Sequence, residues 1–181
     1  MKKIFLILLS IGNVVTTNAQ FKTAMLQASG LTCAMCTKAI NKSLEKLSFI
    51  QSINPDIKNS AFNIQFKQGA AVNIDQLKTA VQDAGFSVAK LKLTGFFTNV
   101  EVKNDEHVQI NGNIFHFVKV NNQTLDGTRE ITVVDKNFVS TKEFNKFSEA
   151  TQMTCVKTGQ ASACCRKDGI TDKTRVYHVT I

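Results

Sequence analysis

Between Thr23 and Leu93 the hydrophobic period switches from strand-like alternation to helical spacing and back, twice, and that switching restricts the fold more than any other feature of the chain. Thr23 to Ala28 alternates as a short strand, and Ser29-Gly30-Leu31-Thr32 then breaks the pattern ahead of Cys33-Ala34-Met35-Cys36. Ile40, Leu44 and Leu47 follow on one helical face, with Lys38, Lys42 and Lys46 as a stripe on another. Ile53, Pro55 and Ile57 alternate with polar neighbours, and Phe62, Ile64 and Phe66 alternate again beyond Asn59-Ser60, which predicts a hairpin. Pro55 has no N–H to give a ladder, so its strand is expected at a sheet edge. Ile74, Leu77, Val81 and Ala84 space as a second helix closed by Gly85, and Phe86 to Leu93 returns to a strand. The segment thus reads as strand, helix, two strands, helix, strand, which folds as a four-stranded antiparallel sheet with both helices on one face.

That order is the ferredoxin-like βαββαβ sandwich, and it brings the loop carrying Cys33 and Cys36 to the end of the sheet near Gly85-Phe86. Two soft thiolates three positions apart at a helix start can converge on one d¹⁰ ion, and the helix N-terminus favours the thiolate over the thiol. Two ligands leave the ion open to an incoming thiolate, so the spacing suits transfer rather than storage. Cu(I) and Hg(II) fit such a pair, and Zn(II) fits it with added ligands. A Cys-x-x-Cys pair also suits a thiol-disulfide oxidoreductase or a plain disulfide.

The run Gly30-Leu31-Thr32-Cys33-Ala34-Met35-Cys36, followed by Ile40, Leu44 and Leu47 and closed by Ala84-Gly85-Phe86, resembles the heavy-metal-associated domain family over residues 22–93. The resemblance implies a domain that binds Cu(I) first of all, through Cys33 and Cys36, and passes it to a metal-donor or metal-acceptor protein. It implies no catalysis. Leu31 stands where the family usually has Met, a near-isosteric change if that side chain is buried under the loop. With a leader in front of it, the segment is similar to periplasmic copper chaperones and periplasmic mercury-binding proteins.

Met1-Lys2-Lys3 followed by the apolar run from Ile4 to Val15, with Thr17 and Ala19 placed for cleavage, predicts a signal peptide over 1–19 and a periplasmic or secreted protein without a stable membrane anchor. Export makes nucleic acid an improbable partner in spite of the formal charge of +8. The excess is uneven. Residues 20–93 carry nine Lys against four acidic side chains, whereas 94–181 carry eleven basic and ten acidic ones. Lys38, Lys42 and Lys46 therefore read as a docking face for an acidic partner or as a solvated helix face.

Thr94-Gly95 reads as a turn between a heavy-metal-associated domain at 20–93 and a C-terminal domain at 94–181. Beyond it Phe96 to Val102, His107 to Ile110, Asn113 to Val120, Ile131 to Val134, Met153 to Lys157 and Arg175 to Ile181 read as strands, with Ser140 to Ala150 as one helix. The whole is therefore an α+β protein whose second part is a small β-rich, OB-like domain of no recognised family. Asn111-Gly112 predicts a two-residue type I′ turn, which sets His107 opposite His116 as a pair able to hold Cu(II) or Zn(II). Met153, Cys155, Cys164, Cys165 and His178 form a second candidate metal set. The alternative is a disulfide from Cys155 to Cys164 or Cys165. No catalytic triad and no phosphate-binding glycine loop is present.

Overall fold

A computed structural model describes residues 19–31 and 34–181. Residues 1–18 of the expected signal peptide, and Cys33, lie outside the described residues. The elements run β1 (Gln20–Ser29), α1 (Ala34–Leu44), β2 (Ile50–Asp56), β3 (Ala61–Phe66), α2 (Ile74–Asp83), β4 (Ser87–Val102), β5 (Glu106–Ile110), β6 (Asn113–Phe117), β7 (Gln123–Val133), α3 (Thr141–Ser148), α4 (Cys155–Thr158) and β8 (Val176–Thr180), with a 3₁₀ turn at Ala163–Asp168. The predicted βαββαβ order stands, and its four strands are ordered β2-β3-β1-β4. β2 carries Pro55 and lies at the edge, as its missing donor requires. Helix α2 starts on the Asn73 side chain, which accepts from the Gln76 amide. It ends in a Schellman motif: Gly85 at φ 88° lets its own N–H reach the Gln82 carbonyl and the Phe86 N–H reach that of Val81.

The second half does not close into a barrel. Its strands extend the same sheet, giving eight in the order β2-β3-β1-β4-β7-β8-β6-β5. Thr94-Gly95 is not a turn but the middle of β4, which pairs with β1 on one flank and β7 on the other. Gly95 is there because a Cβ would lie 2.8 Å from the Gln20 carbonyl oxygen and 3.2 Å from the Phe21 ring. Its small size admits the neighbouring strand where β1 shifts register between Phe21 and Thr23. The Met153–Lys157 strand is also corrected: this stretch contains the single helical turn α4, stopped by Gly159 in the left-handed conformation. The helix read over Ser140–Ala150 forms as α3, with Ser140 as its N-cap.

The two faces of the sheet bury different things. A row of apolar partners, Leu26, Leu91, Val133, Val179 and Phe117, crosses five strands on the face covered by α1 and α2. Phe21 packs edge-on against Phe97 and Phe115, so the first strand of one half sits in the aromatic core of the other. Each such fully buried side chain contributes about 1.5–3 kcal/mol. The opposite face, under β6 and β8, is covered by the segment holding α4 and the 3₁₀ turn. It has a small core of its own: Met153, Cys155, Ala161, Cys165 and Val176.

Candidate metal centres

The loop after β1 begins at Gly30, whose φ of 77° turns the chain away from the sheet, and Leu31 packs partly buried on the main core. Cys36 lies half-buried in the first turn of α1. Met35 is 74% exposed, which places it outward from the core. Ser29 and Ser87 pair beside the loop, and this brings the half-buried Phe86 to the same end of the sheet. Lys38, Lys42 and Lys46 are all exposed, and no ion pair to them occurs among the described residues. Lys42 and Lys46 border a shallow groove between α1 and α2 that also contains Gln76 and Asp83.

A second constellation lies on the other face of the sheet. The Asn111-Gly112 turn forms as expected, with both residues at positive φ, and His107 stands opposite His116. β8 runs parallel to β6 and sets His178 beside His116, so three histidines occupy one level of three adjacent strands. The His107 and His116 rings stack at 4.8 Å, and the His116 and His178 rings meet edge to face at 5.1 Å. All three surround one thiol: Cys155 Sγ is 3.5 Å from His178 Nε2, 3.9 Å from His107 Nε2 and 4.0 Å from His116 Nδ1. The outer nitrogen of each ring meets a carboxylate, His107 Nδ1 on Asp168 at 2.7 Å, His116 Nε2 on Asp105 at 2.9 Å and His178 Nδ1 on Asp135 at 2.6 Å.

Cys164 and Cys165 flank Cys155, the three sulfurs lying within 4.8 Å of one another. Cys155, Cys164 and Cys165 are free thiols in this structure. Burial pushes the Cys155 thiol well above its ordinary range, and Cys165 adds to the effect. Burial also opposes ionisation of Cys164, but the Ser162 and Thr154 hydroxyls outweigh it and bring that thiol down to about 6. Burial, then the His178 and His107 rings, hold His116 down to about 4, so it is neutral at pH 7. Met153 packs in the same small core as Cys155. The two sets separated in the sequence are therefore one cluster joined at Cys155. Nothing in local sequence pattern signals Asp105, Asp135 and Asp168, which reach their histidines only through the fold.

Comparison with known proteins separates these two centres. Residues 26–87 match the model of the heavy-metal-associated domain. This stretch is a heavy-metal-associated domain. A copper-transporting ATPase of Helicobacter pylori is 31% identical over 61 residues, which are 34% of this chain and 8% of the ATPase. The chain thus spans under a tenth of the length of such relatives. The copper chaperone CopZ of Staphylococcus aureus is 25% identical over 64 residues, 35% of this chain and 93% of the chaperone. Oxidized MerP from Ralstonia metallidurans CH34, a crystal structure, is 22% identical, covering 38% of this chain and 97% of that one at a TM-score of 0.34. The heavy-metal-associated domain contains Cys33 and Cys36, whereas every histidine and the other three cysteines lie beyond its matched residues.

Proposed function

We propose that this is an exported copper-binding protein that holds Cu(I) between Cys33 and Cys36 and passes it to a donor or acceptor protein by thiolate exchange. The observation that carries the reading is the heavy-metal-associated domain with a Cys-x-x-Cys pair entering α1 at its matched loop. The copper chaperone and copper-transporting ATPase among its relatives support copper as the cargo. With two soft ligands the ion stays accessible, so a third thiolate from a partner adds before one of the first two leaves, and no free ion is released. The exposed Lys38, Lys42 and Lys46, on the helix that starts at the pair, supply a positive face for an acidic partner. The apolar leader supports delivery outside the cytoplasm, and no described helix is long and apolar enough to cross a membrane. The reading is one of binding and transfer rather than catalysis.

Competition for Cu(I) against a chromophoric chelator tests it. The reduced protein should hold one equivalent that Cys33→Ser/Cys36→Ser loses while its circular dichroism is unchanged. Undiminished binding in that variant would place the cargo site elsewhere. Turnover of a dithiol substrate by metal-free protein would favour the oxidoreductase reading, and tight retention of Hg(II) with weak Cu(I) binding would make mercury the cargo.

A further inference from the structure

We propose that His107, His116, His178 and Cys155 form a second metal site, a buried imidazole–thiolate shell for a resident divalent first-row ion of borderline softness such as Zn(II). The proposal is independent of the Cys33 and Cys36 reading.

The first argument is a count of donors. A carboxylate on the outer nitrogen of an imidazole takes the ring N–H and turns a lone pair inward, the arrangement that orients metal-ligating histidines. Here three carboxylates do this to three rings, and all three inner nitrogens face Cys155. The thiol has one hydrogen to offer and can satisfy one lone pair. The other two are left facing sulfur in a site where His116, His178 and Cys155 are all fully buried. A cation that displaces the thiol proton satisfies all four groups together, and the proton leaves to solvent.

Distance gives the second argument. With Zn–S of about 2.3 Å and Zn–N of about 2.05 Å, tetrahedral ligands stand roughly 3.6 Å apart from sulfur to nitrogen. The three separations are 3.5, 3.9 and 4.0 Å. His107, His116 and Cys155 already lie within 4.8 Å of one another; His178, outside that group but 3.5 Å from Cys155 Sγ, supplies the fourth ligand by moving in toward the other two rings. Four protein ligands leave no open position, which marks a retained ion rather than a catalytic or exchanging one. The site also lies on the face opposite α1, four strand intervals or about 19 Å across the sheet from β1. An ion there cannot share a ligand with Cys36 of the same molecule. Its effect is to pin the segment carrying α4 onto the sheet.

The test uses the full chain as Cys33→Ser/Cys36→Ser, with all remaining thiols reduced, titrated with Zn(II) and with Co(II) as the coloured surrogate. One ion per chain is expected, with tetrahedral Co(II) d–d bands and a sulfur charge-transfer band of single-thiolate intensity. A hundredfold excess of free Zn(II) over its Kd should raise Tm by roughly 5–10 °C. Cys155→Ser should abolish the charge-transfer band, and Cys164→Ser/Cys165→Ser should retain it. Absence of bound Zn(II) and Co(II) overturns the proposal. So does a band of three-thiolate intensity lost in Cys164→Ser/Cys165→Ser, which would assign the ion to the three cysteines. The thiolate count is read on the parent variant, so it stands even if Cys155→Ser fails to fold.

Discussion

Gly95 and Arg175 each tie together parts of the chain that lie far apart in sequence. Gly95 sits against the Gln20 carbonyl with no room for a methyl group. Gly95→Ala should therefore push β1 from β4 and cost about 1–3 kcal/mol, read as a fall in the urea midpoint. Arg175, the residue before β8, bridges Asp75 of α2 at 2.8 Å and Asp135 at 2.7 Å. Burial works against the Asp75 charge, but the Arg175 and Lys78 hydrogen bonds overcome it and hold that carboxyl at about 2. Its folded pKa is depressed, so the unfolded chain takes up the proton first as pH falls. The stability it contributes is complete above about pH 4 and drains away between there and about pH 2. Unfolding free energy measured against pH should show that loss, and Asp75→Asn should flatten it. Arg175→Met should lower stability by about 3 kcal/mol at pH 7, because the buried Asp135 and the partly buried Asp75 lose the guanidinium they share. At this scale the cysteines and the His107–His116 pair were legible, since a three-residue spacing and an Asn-Gly turn are local signals. The carboxylates behind the histidines were not, because Asp135 and Asp168 come from segments with no fixed offset to the rings they orient.

At the level of elements, periodicity served best where one face of a strand or helix is buried and the other is wet. α1, α2, β3 and the β5–β6 hairpin were readable for that reason. The first part of β7 was not. Thr124, Thr128, Arg129 and Glu130 look like a polar loop, yet they pair along β4, with Asp126 skipped at the register shift and Gly127 at a positive φ that eases it. α4 misled in the other direction, because Met153, Cys155 and Lys157 mimic alternation while the turn in fact buries the adjacent Cys155 and Val156. Parallel pairing of β6 with β8 depends on a return of the chain after some sixty residues, which no local pattern announces. That pairing is what adds His178 to the other two histidines.

The described residues form a single sheet with a core on each face, and the large core contains residues from both halves. A division at residue 93 would leave Leu91 and Leu93 without their β7 partners and Phe21 without Phe97 and Phe115. Calorimetry of residues 20–181 should accordingly give one cooperative transition; two resolved transitions would mean that the halves are energetically separate. The continuous β4 also bears on turnover. At Leu93 the backbone is flanked by Ala24 on one side and Ile131 on the other, so a protease finds no exposed tether between the heavy-metal-associated half and the rest. Under proteolytic attack the protein should persist whole or be degraded whole, without shedding its first half as a free fragment.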